Sequence, residues 1–208
     1  MKKVVYLVVF LIIGCKLEKQ TKKENIFVGR EDESSNVSDF KLYDENNFKD
    51  TKKSFSFLGE NFSGTKKTIL INNMFYSASI LPKEYYIKKH LKKTDSLAKY
   101  LDELKKEEVV QFDFQYMKGD DLFKNKSIKE VEVLVKYLSF HIKNDFYAIT
   151  SKGDTISPLG VHFERTFKLT PNKRLLLYFK FPEEQRRIKL AYYGKVFDNQ
   201  ILKFMLEK

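Results

Sequence analysis

Apolar residues are distributed along this chain of 208 residues in three regimes. A short run from Val4 to Ile13 follows Lys2 and Lys3, a largely polar stretch extends from Lys16 to about Thr65, and from Thr68 onward apolar positions recur with the periods of regular structure. Thr68 to Ile80 is β-branched, aromatic and apolar, which predicts a strand. Pro82 then reads either as a strand stop or as the first residue of a helix. Lys83 to Lys92 carries Ile87 and Leu91 on one helical face, and Thr94 or Asp95 is positioned to cap a second helix bearing Leu97, Tyr100, Leu101 and Leu104. Two short amphipathic helices are expected here.

The rest of the chain reads as strands. Val110, Phe112, Phe114 and Tyr116 alternate with Gln111, Asp113 and Gln115, which places the aromatics on one face of a pleated strand. Gly119, Asp120 and Asp121 follow as a turn. Ser127 to Tyr137 is ambiguous: Val131, Val133 and Val135 alternate as in a strand, whereas Ser127 with Glu130 matches a helical capping box. Further strands are expected over Tyr137 to Ile142, Phe146 to Thr150, Val161 to Leu169, Arg174 to Phe181 and Ile188 to Tyr193. Turn signals separate them at Asn144–Asp145, Gly153–Asp154, Pro171–Asn172, Pro182 and Gly194. This spacing predicts a mainly β (α+β) fold, an antiparallel sandwich with the two helices ahead of most strands.

The N-terminal run has the layout of a secretory signal: a charged start, an apolar middle and a small residue, Gly14, just before the expected cut. It is about half the roughly 20 residues that a membrane-spanning helix needs. Cys15, the only cysteine, stands where the cut falls. Ile12, Ile13, Gly14 and Cys15 resemble the bacterial lipobox, which implies diacylglyceryl and N-acyl lipid on the thiol and amine of Cys15 after removal of residues 1–14. Such an anchor is stable because it carries more than one acyl chain. Lys16, in place of the aspartate that resembles an inner-membrane retention signal, points to the outer membrane where one exists. No thiol is left for disulfides, so the fold relies on its core. The expected organisation is signal peptide 1–14, lipidated N-terminus and flexible tether 15–65, and a single β-rich domain 66–208. Within the tether, Phe55, Phe57 and Leu58 are candidates to dock as a short strand.

Charge changes the picture only once it is divided along the chain. From Lys16 to Thr65 nine Lys/Arg face ten Asp/Glu, whereas from Lys66 to Lys208 twenty-eight face eighteen, so the basic excess belongs to the domain. A basic surface outside the cytoplasm suits anionic lipid or acidic glycan, and nucleic acid is not an expected partner. Tyr85, Tyr86, Lys88, Lys89, Lys92 and Lys93 form one candidate contact for an anionic ligand or membrane. The plainer reading makes them a solvated outer face whose apolar side packs on a sheet.

Tyr137, Leu138, Ser139 and Phe140, then Asp145, Asp154, Thr155 and Pro158, then His162, Phe163, Glu164 and Arg165 resemble a group of uncharacterised bacterial lipoproteins with an immunoglobulin-like core. The likeness covers about the last third of the chain. Members of the group often place a cysteine beside the Pro158 position, where this chain has Leu159. The resemblance implies a fold and a location and carries no activity.

Candidate chemistry is sparse. His162 and Glu164, two apart on a strand, share one face, but His90, His141 and His162 belong to different elements and show no metal-ligand spacing. Asp145, Asp154, Glu164 and Arg165 are read as a structural charge cluster at strand ends. No GxSxG elbow, GxGxxG turn or phosphate-binding loop occurs, and neither a catalytic residue, a metal nor a soluble cofactor is expected. Three functions follow for comparison. The leading one is a non-catalytic, membrane-anchored interaction or scaffold domain that meets another envelope protein. The alternatives are a binding module for anionic glycan or glycolipid and a hydrolase with an unrecognised site.

Overall fold

The computed structural model describes residues 41–91, 96–165, 170–197 and 199–208, without the side chain of Glu45. The expected signal peptide, Cys15, the part of the expected tether up to residue 40, and Lys92, Lys93, Thr94 and Asp95 lie outside the described residues.

Strands dominate and form two sheets. One has the order β1 (Lys41–Tyr43), β11 (Gln200–Glu207), β10 (Arg187–Tyr193), β6 (Phe146–Ile149) and β7 (Thr155–Ile156). The other has the order β2 (Lys49–Phe57), β3 (Glu60–Ile71), β4 (Met74–Ile80), β5 (Glu107–Tyr116), β9 (Lys173–Lys180) and β8 (Gly160–Glu164). All pairings are antiparallel except β1 on β11.

The two sheets share one core. From the six-stranded sheet come Tyr76, Phe112, Phe114, Leu175, Leu177 and Phe179, and from the other Phe146, Leu190, Tyr192, Leu202 and Phe204, all essentially buried. Phe112 sits at its centre, with ring centroids 4.9 to 5.4 Å from Phe114, Phe146, Tyr192 and Phe204. Each such ring is worth about 1.5–3 kcal/mol of burial, with edge-to-face contacts adding to that. The alternation read over Val110 to Tyr116 is therefore the inward face of β5. Its outward residues, Val109 and Gln111, are buried as well, because a second small cluster of Phe55, Leu81, Tyr85, Val109 and Leu176 covers part of the outer side.

Helices α1 (Lys83–Tyr86) and α2 (Leu97–Glu103) lie between β4 and β5, and α1 continues as a π-helical turn over Ile87–Leu91. Pro82 is the N-cap of α1, and Ser96 precedes α2. Helix α3 (Ile128–Lys136) settles the ambiguous segment. The Ser127 hydroxyl accepts from the Glu130 amide while the Glu130 carboxylate accepts from the Ser127 amide, a complete capping box.

Several expectations need correction. Residues 41–65 are not tether in this structure but supply β1, β2 and the start of β3, since Phe48 packs on Phe204 at 4.4 Å and Phe55 is buried. Phe55 thus docks within a strand, whereas Leu58 is 83% exposed at the turn. Thr68 to Ile80 is two strands, because Asn72 and Asn73 both adopt positive φ (46° and 64°) and turn the chain back tightly. Tyr137 to Ile142 is helical: α3 runs on as a π-helical turn, Tyr137–His141, whose Leu138 aligns with Ile142 on one buried face. The described part of the Val161 strand ends at Glu164, and residues 166–169 lie outside the described residues. Strands β7 and β11 were not anticipated.

Candidate functional site

The six-stranded sheet presents its outward side as ordered rows of polar residues, because period-two alternation sends every second residue of each strand away from the core. In one row, paired neighbours run Thr68, Ser77, Asp113, Arg174 and Glu164 across β3, β4, β5, β9 and β8. In the next, Ser79 on β4 pairs with Gln111 on β5, Gln111 with Leu176 on β9, and Leu176 with His162 on β8. Short side chains form the floor: Ser77, Ser79 and Gln111 are all buried.

Hydrogen bonds tie the rows together. Thr68 Oγ1 and Ser77 Oγ are 2.9 Å apart, Gln111 Nε2 donates to Asp113 Oδ2 at 2.7 Å, and Arg174 Nε donates to Asp113 Oδ1 at 2.8 Å. The second carboxylate of the row, Glu164, stands 3.6 Å from Arg174. Asp113 and its hydrogen bond are the chief supports of the Arg174 charge, holding its pKa above the ordinary value although burial works against it. The centre of the face is thus a pre-assembled network in which one guanidinium faces two carboxylates.

Its β2 side is different. Lys53 extends from the edge strand opposite Gly64, and its Nζ lies 3.3 Å from Ser79 Oγ on β4 and 4.5 Å from the Phe55 ring centroid. Gly64 leaves the space for the Phe55 ring beside it: a Cβ there would stand 3.2 Å from that ring. Burial is the main influence on Lys53 and lowers its pKa from 10.5 to about 8; Asp113 and Glu164 oppose this, while Arg174 and Lys66 add to it. Among the described residues neither Lys53 nor Lys66 has a carboxylate within ion-pair distance.

An aromatic wall bounds the face on the side of α1. Tyr85 packs on Phe55 and Phe62 at 5.3 and 5.9 Å, His90 stacks on Tyr86 at 5.3 Å, and Tyr86 meets Tyr178 at 6.2 Å. Burial lowers the His90 pKa and raises that of Tyr178. Beyond the wall, an apolar cleft of about 200 Å³ runs between Leu81, Tyr86, Leu104, Val109, Tyr178 and Phe179.

The residues expected from sequence are distributed unevenly over this geometry. Tyr85 is buried in the small outer cluster, and its hydroxyl accepts from Lys89 Nζ at 2.6 Å. Lys88 pairs with Glu60 on β3 at 2.5 Å and ties the helix to the sheet, whereas the Lys89 bond lies within the helix itself. His162 and Glu164 do share the outward face of β8, with His162 exposed. Asp145, Asp154, Glu164 and Arg165 are not brought together by ion pairing among the described residues. Asp145 is buried against the Tyr137 hydroxyl with Lys195 at 3.7 Å, Asp154 closes a turn on Thr150, and Glu164 faces Arg174. Burial raises the Asp145 carboxyl above the usual range. No group of metal-ligating side chains occurs among the described residues.

Sequence reading missed Lys53, Ser79, Gln111, Asp113 and Arg174. Lys53 fell in the segment assigned to the tether, and the other four are dispersed over three strands whose neighbours only the register reveals. No family description matches the chain, and neither a curated protein nor a solved structure matches it.

Proposed function

We propose that this protein is a lipid-anchored component of the bacterial envelope whose folded domain is a non-catalytic interaction module, with the outward face of the six-stranded sheet as its contact surface. The observation that carries this reading is the organisation of that face. A row of polar side chains crosses five adjacent strands and is already hydrogen-bonded internally, so a partner meets groups that need little reordering on contact. Side chains on sheet strands also hold their positions better than side chains on loops.

Among the described residues the Ser79–Lys53 contact is an arrangement that favours a hydrolase, since a lysine of lowered pKa beside a hydroxyl is a base beside a nucleophile. Ser79 is 1% exposed, which leaves a substrate carbonyl no approach to its Oγ. We therefore read the pair as a holder of the lysine rather than as reacting groups. The two-layer antiparallel packing is the feature that supports the immunoglobulin-like part of the resemblance, while the consecutive β2–β3–β4–β5 meander departs from a Greek-key order.

The anchor is tested by Cys15→Ser. The variant is expected to accumulate as the heavier precursor and to lose incorporation of labelled fatty acid. Labelling equal to that of the unmodified chain contradicts the assignment.

A further inference from the structure

The geometry points to an oxyanion site at Lys53 and Lys66 on the β2–β3 side of this face, and we propose that its ligand is an acidic saccharide. This deepens the preceding reading and rests on it.

The cations come first. Lys53 and Lys66 lie on adjacent strands, both partly buried, and Lys53 is bound to a neutral hydroxyl rather than to a carboxylate. The carboxylates near enough to act on Lys53 are Asp113 on β5 and Glu164 on β8. Both face Arg174 on β9, and Asp113 is further occupied by Gln111. From β3 and β9, Lys66 and Arg174 add like charge. A desolvated ammonium beside two other cations is unfavourable by itself. An incoming oxyanion relieves Lys53 and Lys66, whereas Arg174 is already held by Asp113 and Glu164. Residual strain of this kind is expected of a binding site rather than of a structural contact.

The hydroxylated part of the ligand is argued from the rest of the face. From the buried floor of Ser79 and Gln111 toward His162 the surface offers the partly exposed Asp113, Arg174 and Glu164, which are planar groups with donors and acceptors at fixed positions, and the aromatic residues Tyr85, Tyr86 and His90 border it. Neighbouring strands are about 4.8 Å apart, so the path from β4 to β8 is roughly 14 Å long. A lipid tail gains nothing on such a surface, whereas a chain of sugar hydroxyls can exchange hydrogen bonds along it.

The test is calorimetric titration of the full lipidated protein in detergent micelles with three probes: an oligogalacturonate, the neutral oligosaccharide of equal length, and a monosaccharide phosphate. The acidic oligosaccharide should bind at pH 7 and its neutral counterpart at least tenfold more weakly. Binding of the phosphate as tight as that of the oligogalacturonate assigns the site to the oxyanion alone and overturns the saccharide part. Lys53→Met should lose at least tenfold in affinity, and Lys53→Arg should retain it. Between pH 8 and pH 10 the unmodified protein should weaken steadily while Lys53→Arg does not, because only the lysine discharges in that interval. Equal binding of acidic and neutral probes, or a Lys53→Met variant that binds as the unmodified protein does, overturns the proposal. Those outcomes leave open to test the broader reading of the face as a contact surface, which is judged by crosslinking from His162 in cells.

Discussion

At the scale of single residues, Lys53 couples stability to pH in a direction that can be worked out. Its pKa is about 8 when folded and 10.5 otherwise, so between those values the unfolded chain holds a proton that the native state has lost. Stability therefore rises with pH across that window, and the cost of the buried charge is present in full below pH 8. Lys53→Met removes the cost. It should melt higher than the unmodified protein at pH 7, with the advantage shrinking by pH 10; an advantage that is the same at both values contradicts the account. This also separates function from folding, since a variant that is more stable yet fails to bind has lost a contact and not its structure. Little of this was legible beforehand. A lysine in a polar stretch carries no mark of burial, and what Lys53 packs against is the Phe55 ring and the Ser79 hydroxyl, the latter from a strand distant in sequence.

Among elements, legibility followed how local the determining physics is. The inward face of β5 could be read from alternation alone, and the helix at Ser127 from the reciprocal bonds of a four-residue box. Replacing Ser127 by alanine should cost about 1 kcal/mol in denaturant unfolding. An unchanged midpoint would mean that α3 is held by packing and not by its cap. The hairpin within Thr68 to Ile80 was hidden because its turn consists of two asparagines inside an uninterrupted β-like composition. Strand β11 shows a legible alternation at Leu202, Phe204 and Leu206 that the reading passed over. Strand β2 was obscured for a different reason. An edge strand with Lys49, Lys52 and Lys53 has the charged composition that keeps open edges from pairing with other chains, which from sequence alone resembles a tether.

The whole molecule is an asymmetric object. One side of the six-stranded sheet is committed to the shared core around Phe112, and the other carries a polar network, an aromatic wall and a cation pair without carboxylate partners among the described residues. Core positions are set by burial, which hydrophobic pattern reports. The outward network is set by which strands become neighbours, as when β9 from the C-terminal third inserts between β5 and β8. No local pattern encodes that adjacency, so the fold class was more readable than the site.

The most direct test of the outward face is site-specific photocrosslinking in intact cells, with the photoreactive residue placed once at the exposed His162 on that face and once at Lys203 on β11 of the opposite sheet. A discrete adduct from position 162 and none from position 203 is the predicted result. Equal adducts from both positions, or an adduct from position 203 alone, would contradict the assignment of this face as the contact surface.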